Sequence, residues 1–166
     1  MHPVLLSNDE LLKQCEVRTG RRRGPGGQHR NKTESAVVIH HRPTDVEGQA
    51  AERRSQVDNH RNAIKRLRLN LALEVRDSSW LDEVPTELWR QRCRGGKIII
   101  NPEHADFPPL LAEALEVIHD HAGNLHAAAD RLGCTFSQLI KFLKHEPRAW
   151  QQVSALRHQR GLTELE

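Results

Sequence analysis

The sequence predicts an α+β fold: a small mixed β-sheet domain with an exposed loop and a packed helix, then an all-α module similar to a helix-turn-helix. Three observations lead to this class. Residues 35–41 (SAVVIHH) have the composition of a strand, and from residue 55 onward apolar residues recur at helical spacing. Beyond residue 108, capping residues divide the chain into several helices. We therefore expect three parts: a first domain at residues 1–76, a structured connector at 77–108 and a helical module at 109–166.

The first domain is expected to open with a short helix and to end with a long one. Ser7 and Glu10 fit a capping box, which predicts a helix over residues 8–14. Strands are predicted at 15–19, 35–41 and 46–51, the last of them a weak or edge strand because it is less hydrophobic. The long helix begins after residue 55 and is amphipathic. Its apolar stripe consists of Val57, Ile64, Leu67, Leu71 and Val75, and its basic outer face of Arg54, Arg61, Lys65 and Arg68.

The C-terminal part has the capping signals of four helices. Gly123 ends the first, Asn124 caps the second, Gly133 ends it, Thr135 caps the third, and Pro147 suits the first turn of the fourth. The second and third resemble a helix-turn-helix. In that case the residues facing a nucleic acid would be Thr135, Ser137, Gln138, Lys141 and Lys144. Alternatively, the four helices form a small bundle that braces the domain or contacts a protein.

Charge is distributed unevenly along the chain. Residues 18–68 contain 13 Lys/Arg and 5 Asp/Glu, whereas the remainder contains 12 Lys/Arg and 17 Asp/Glu. Basic clustering of this kind is typical of nucleic-acid binders. The basic segment has no aromatic residue, since the chain lacks Tyr and its first Trp is Trp80. Base stacking is therefore excluded there, and recognition would depend on phosphate charge and on shape.

Other composition signals exclude several classes of protein. Three widely spaced cysteines predict neither a disulfide framework nor a zinc site, and the two close histidine pairs, His40–His41 and His119/His121, do not converge on one ion. We expect no metal and no cofactor.

The chain has no apolar run long enough for a membrane helix, and its N-terminus resembles no targeting signal. These features favour a cytoplasmic protein without a membrane partner.

The stretch GPGGQH at residues 24–29 is the unusual motif of the chain. It is not a dinucleotide fingerprint, because His29 stands where a third glycine is required, and it lacks the spacing of a phosphate-binding loop. Adjacent glycines permit positive φ and close approach of the backbone to a ligand. Gln28, directly after them, is therefore expected at the tip of an exposed loop.

Together with the residues that follow it, this stretch resembles a known family signature. The pattern GPGGQHxNKTxSAV, the turn at Pro43-Thr44 and the run from Glu52 to Leu71 are similar to class I peptide chain release factors and to related proteins that rescue stalled ribosomes. The resemblance covers roughly residues 16–73, the length of that family's catalytic domain.

The resemblance implies hydrolysis of the ester between a nascent peptide and tRNA in the ribosomal peptidyl transferase centre. Gly26, Gly27 and Gln28 would be the catalytic residues, with the Gln28 backbone N–H stabilising charge in the transition state. The expected partners are large-subunit rRNA and peptidyl-tRNA, with the protein acting as a monomer. The cations expected to contact RNA phosphates are Arg21, Arg22, Arg23, Arg30, Lys32, Arg54, Arg61, Lys65 and Arg68.

The sequence departs from the family in ways that affect the function expected. Arg30 stands where the family usually has a small apolar residue, and only 23 residues precede Gly24, which leaves no room for a codon-reading domain. We therefore expect codon-independent rescue rather than termination at stop codons. The alternatives are a non-catalytic ribosome- or RNA-binding protein and a helix-turn-helix DNA-binding regulator.

Overall fold

The computed structural model describes residues 1–21 and 35–165, which divide into two units. The sheet unit is Pro3–Glu74, and the helical unit combines Met1–His2 with Val75–Glu166. The α+β class is confirmed. The structure does not separate a connector at residues 77–108, because that segment belongs to the helical unit, where Trp80, Trp89 and Phe107 are buried.

The sheet unit contains three strands and two α-helices in its described part. After a 3₁₀ turn at Pro3–Leu5, these are α1 (Asn8–Lys13), β1 (Cys15–Gly20), β2 (Ala36–His41), β3 (Val46–Ala50) and α2 (Gln56–Glu74). The capping box at α1 is confirmed: the Ser7 hydroxyl accepts from the Glu10 backbone N–H, and the Glu10 carboxylate accepts from the Ser7 backbone N–H.

The sheet has the order β1-β2-β3, and both pairs of strands are antiparallel. It is therefore not the mixed sheet that we predicted, since each strand pairs with its neighbour in sequence and no parallel crossover is formed. β3 lies at an edge, as its weak hydrophobicity indicated. Alternate residues of β2 and β3 are buried, among them Val37, Ile39 and Val46, so one face of these strands forms the core.

Helix α2 supplies the other side of this core. Asn59, Ala63, Leu67 and Leu71, spaced four residues apart, are all fully buried. The predicted stripe is confirmed at Ile64, Leu67 and Leu71 but wrong at both ends. Val57 is 61% exposed because it lies in the first turn, before the buried line begins, and Val75 follows the last helical residue.

The helical unit begins with a 3₁₀ helix at Ser78–Glu83. It continues with α3 (Glu87–Arg92), a hairpin of β4 (Cys93–Arg94) and β5 (Lys97–Ile98), and then α4 (Phe107–Asp120), α5 (Leu125–Leu132), α6 (Phe136–Lys144) and α7 (Pro147–Gln159). The four predicted helices are confirmed. Asn124 and Thr135 accept backbone N–H bonds as side-chain caps, Gly133 ends α5 in the left-handed conformation, and Pro147 is in the first turn of α7.

Helix α4 is the central element of the helical unit. Eleven of its residues are buried: Phe107, Pro108 and all nine from Leu110 to Ile118. Around it, Phe142 of α6 contacts both Phe107 and Trp89 at ring-centroid distances of 5.3 and 5.8 Å. The Trp89 indole N–H donates to the Leu132 carbonyl at 2.7 Å. These contacts tie α3, α5 and α6 into one core.

Candidate functional site

The residues expected to act in catalysis lie outside the described part of the chain. These are Gly26, Gly27 and Gln28, together with the predicted RNA contacts Arg22, Arg23, Arg30 and Lys32. The structure describes the residues that flank them, from Gly20 to Arg21 on one side and from Ser35 on the other.

Those flanking positions are fixed by the pairing of β1 with β2. Six residue pairs join the strands, from Cys15 opposite His41 to Gly20 opposite Ala36. The chain therefore leaves β1 and enters β2 at directly opposite positions of one antiparallel ladder. Arg21, the one predicted RNA contact next to β1 that is described, is exposed at this end of the sheet.

A buried asparagine holds the chain at the point where it enters β2. This point and the end of β1 together form the base of the GGQ segment. The Asn59 side chain is fully buried, and its amide Nδ2 donates to the Ser35 carbonyl at 2.6 Å and to the Arg53 carbonyl at 2.9 Å. Its Oδ1 accepts from the Arg53 backbone N–H at 3.0 Å. One side chain thus joins the first turns of α2 to the residue before β2 and to the segment between β3 and α2. Sequence reasoning missed Asn59, although its four-residue spacing from Ala63 and Leu67 was a signal.

The predicted basic face of α2 divides into two groups. Arg61 and Lys65 of α2 are exposed, as a phosphate-contacting role requires. Arg54 is also exposed, but it precedes α2 and so does not lie on the helix face where it was predicted. The only partner of these three among the described residues is Asp58, whose carboxylate lies 3.7 Å from the Arg61 guanidinium and is itself exposed. Ion pairs of this kind are weak and can exchange for a phosphate.

Arg68 has a different environment from the other predicted contacts. Its guanidinium donates to the Val4 and Leu6 carbonyls at 3.0 and 2.6 Å and to the Asn8 side-chain oxygen at 2.8 Å. Its partial burial lowers the pKa of the guanidinium. The structure therefore places Arg68 in a structural contact that holds the N-terminal segment, because two of its acceptors lie before α1 and the third is on the first residue of α1.

Arg66 is a further arginine of α2 with structural contacts, and the sequence pattern did not indicate its role. Its guanidinium donates to both carboxylate oxygens of Glu52 at 2.8 and 3.1 Å and to the Gln49 carbonyl at 2.8 Å. These bonds lower the pKa of Glu52 to about 2. The pair links α2 to the segment that follows β3, beside the Asn59 contacts.

The cysteines and histidines of the described residues show no catalytic or metal-binding arrangement. Burial raises the pKa of Cys134 to about 12 and also raises the pKa of Cys15 and Cys93, so none favours the thiolate. His41 is buried and bonds Thr44 and Gln14. Within residues 1–21 and 35–165, no group of three or more His, Cys, Asp or Glu side chains could hold a metal ion. No helix of this part is long and apolar enough to cross a membrane.

Comparison with known proteins identifies the class of domain to which this part of the chain belongs. Residues 10–90 match the RF-1 domain family. The chain thus carries the GGQ domain of class I peptide chain release factors, as the sequence signature indicated.

The similar proteins include both peptide chain release factor 1 and peptide chain release factor 2. Peptide chain release factor 1 of Ureaplasma parvum is 46% identical over 65 residues, covering 38% of this chain and 18% of the relative. Peptide chain release factor 2 of Treponema pallidum is 33% identical over 123 residues, covering 58% and 33%. Peptide chain release factor 2 of Helicobacter pylori is 44% identical over 75 residues, covering 43% and 21%. The chain thus spans a third or less of the length of these relatives.

Proposed function

We propose that this protein is a codon-independent peptidyl-tRNA hydrolase that acts in the ribosomal peptidyl transferase centre and rescues stalled ribosomes. The observation that carries the proposal is the RF-1 domain match over residues 10–90, which includes Gly26-Gly27-Gln28. The proposed partners are large-subunit rRNA and peptidyl-tRNA, encountered in the cytoplasm by a monomer.

In the proposed reaction, water attacks the carbonyl carbon of the ester that joins the peptide to the tRNA ribose. The bond to the ribose oxygen breaks, this oxygen takes up one proton of the water to become a hydroxyl, and the other proton is lost to solvent as the free peptide carboxylate is formed. The Gln28 backbone N–H would donate to the oxygen on which negative charge develops. The side-chain amide of Gln28 is a poor general base, so its role is to admit and orient the water. Gly26 and Gly27 leave room for the backbone to approach the ester.

The described residues support this role through the base of the GGQ segment. The β1–β2 ladder and the Asn59 hydrogen bonds fix where that segment leaves and rejoins the sheet unit. Positioned donors are effective because they need no reorganisation during the reaction. The exposed cations Arg54, Arg61 and Lys65 would bind rRNA phosphates and hold the sheet unit against the ribosome.

The proposal also states that the protein acts without reading a codon. The family match is confined to the domain with the GGQ tripeptide, and the chain outside residues 10–90 is mainly the helical part from α4 to α7. The contacts available to the sheet unit are phosphate charge and backbone amides, which read shape rather than base sequence.

The catalytic claim is tested by peptide release from ribosomes that hold a labelled peptidyl-tRNA. We expect release by the wild-type protein and a loss of about 100-fold or more in Gln28→Ala and in Gly27→Ala, which places a Cβ where close approach is needed. Arg30→Ala is the matched control from the same segment; it should weaken binding but leave release at saturating protein intact. Equal release by Gln28→Ala, Gly27→Ala and the wild type would leave only a binding function.

A further inference from the structure

The helical unit carries a cationic patch formed by Arg94 and Lys97 of the β4–β5 hairpin and by Lys141 and Lys144 of α6. All four side chains are exposed. Neither the hairpin nor α6 contains an Asp or Glu. Within the part of the chain that the structure describes, none of the four has a carboxylate partner.

Four other cations of the same unit have a carboxylate partner. Their carboxylate partners lie at 2.6–3.8 Å: Arg90 with Glu87, Arg92 with Asp106, Arg131 with Asp120 and Arg148 with Glu146. From residue 75 to 166 the chain has 11 Lys/Arg against 13 Asp/Glu, so the shortage of counter-charge at the patch does not reflect an excess of bases. Four cations that lack a carboxylate partner among the described residues therefore lie on the hairpin and α6, whereas Arg157 of α7 donates to two backbone carbonyls.

The hairpin holds two of these cations side by side. Arg94 and Lys97 are directly opposite each other in the antiparallel pair. Facing cross-strand side chains have Cβ atoms only about 5 Å apart, and like charges at that spacing destabilise a hairpin. The tight turn between them consists of Gly95 and Gly96 with φ of 57° and 78°, the positive values that a two-residue turn requires. A bound anion would offset the repulsion that this geometry creates.

Two hydrogen bonds place the hairpin on α6. The Thr135 backbone N–H donates to the Gly96 carbonyl at 3.1 Å, and the Ile98 backbone N–H donates to the Gln138 side-chain oxygen at 3.3 Å. Gln138 thus faces the hairpin, and Lys141 follows it on the same side of the helix, three residues further on. Lys144 is one further turn along, and its ammonium lies 4.9 Å from the centroid of the Trp150 ring. The hairpin cations therefore lie beside the N-terminal turns of α6, and Lys141 and Lys144 follow along this helix at intervals of three residues.

We propose that this cationic patch binds the phosphate backbone of RNA. A cluster of exposed cations without interleaved carboxylates complements the dense negative charge of a nucleic-acid backbone. The choice of RNA depends on the proposed function, since a ribosome-bound protein meets rRNA phosphates. The helical unit would then supply a second electrostatic contact, separate from the one on α2.

The test uses the full-length protein, with Arg94, Lys97 and Lys141 changed together to Gln. Lys144 is left in place because its contact with Trp150 makes its loss harder to interpret. The matched control is Arg90→Gln with Arg148→Gln and Arg160→Gln, which removes the same charge from exposed positions elsewhere in the unit. Circular dichroism and thermal unfolding establish that both triple variants fold. The probe is a fluorescein-labelled RNA hairpin, with binding measured by anisotropy over a KCl series.

We expect the patch variant to lower the slope of log affinity against log salt by roughly 2 to 3, with the control unchanged. Its affinity at low salt should fall about tenfold or more. Equal slopes and affinities for the two triple variants would overturn the proposal. So would a patch variant that loses binding to polyglutamate but keeps RNA binding, since that result assigns the patch to an acidic protein.

Peptide release separates this proposal from the proposed function. At saturating protein the patch variant should release peptide as fast as the wild type, because its changes lie outside the RF-1 domain. If the wild-type protein releases no peptide but its RNA binding still depends on the patch, the proposed hydrolase function is contradicted and the proposed RNA contact is supported. A patch variant that binds RNA normally would contradict the contact alone.

Discussion

At the residue scale, Asn59 shows how one buried polar side chain organises the base of the GGQ segment. Its amide satisfies the Ser35 and Arg53 carbonyls and the Arg53 N–H, which all lie outside regular structure. Buried backbone groups that lose their partner are costly. Because three separate chain segments depend on this side chain, its removal should affect both stability and the position of Ser35.

We expect Asn59→Ala to lower the free energy of unfolding by about 1–3 kcal/mol, because the backbone groups at Ser35 and Arg53 lose their partner. Asn62→Ala is the control on the same helix, since Asn62 makes one exposed bond to Glu52, and it should cost under about 0.5 kcal/mol. Urea denaturation of both variants measures the difference. Equal losses would contradict the structural role of Asn59.

The Glu52–Arg66 pair gives a prediction about pH. The pKa of Glu52 is lowered to about 2 when folded, so the pair stabilises the protein above the ordinary glutamate pKa near 4.5 and loses this contribution as pH falls toward 2. Because both side chains are well exposed, we expect only about 0.5–1 kcal/mol. The unfolding free energies of wild type and Glu52→Gln should therefore differ at pH 7 and converge near pH 2. A gap that widens toward acid pH would contradict this assignment.

Residue roles were the least predictable part of the site from sequence. The sequence marks Arg61, Lys65 and Arg68 alike, as cations on one helix, and only the acceptors at Val4, Leu6 and Asn8 distinguish Arg68. Asn59 looks like an ordinary polar residue in a helix, because its partners are brought to it by the sheet. The GGQ tripeptide, in contrast, was found from sequence because its signature is contiguous.

At the element scale, the closest packing in the sheet unit is between β3 and α2. A Cβ on Gly48 would collide with the backbone of Ala63 and Leu67, which are fully buried. We expect Gly48→Ala to lower the free energy of unfolding by about 1–3 kcal/mol, since the strand and helix must separate. Gly20→Ala is the control, because a Cβ there meets no atom within 4 Å. A thermal melt in which the two variants lose equal stability would contradict close packing at Gly48.

Elements that are defined locally were predicted well. The caps at Ser7, Asn124 and Thr135 act within one turn, so the sequence is enough to place the helices that they begin. The apolar run at residues 97–100 predicts only a short strand, whereas the hairpin that it forms with Cys93–Arg94 also depends on hydrogen bonds to α6. The direction of strand pairing also needed the structure.

At the scale of the whole molecule, the division falls between Glu74 and Val75, close to the predicted boundary at residue 76. The predicted connector was read from its glycines and prolines, which mark breaks in regular structure but carry no information about burial. Trp80 and Trp89 are buried in the helical unit, so this segment is part of a core.

Ribosome binding by the whole protein should depend steeply on salt. Reversing Arg61 and Lys65 to Glu should lower the affinity about tenfold or more and reduce the slope of log affinity against log salt by about 2. Reversing Arg90 and Arg160 is the charge-matched control. Arg68→Glu belongs to a different class, because it should destabilise the sheet unit. Co-sedimentation with ribosomes over a salt series measures these effects, and an affinity that is independent of salt would contradict the phosphate-contact account.

The most direct test of codon-independent hydrolysis compares two ribosomal complexes that carry the same peptidyl-tRNA. In one the mRNA ends at the peptidyl site, and in the other a stop codon follows. The account predicts that the wild-type protein releases peptide from the truncated complex at least as fast as from the stop-codon complex, and that Gln28→Ala is about 100-fold slower or more on both. Release that requires the stop codon, or release by Gln28→Ala at the wild-type rate, would contradict it.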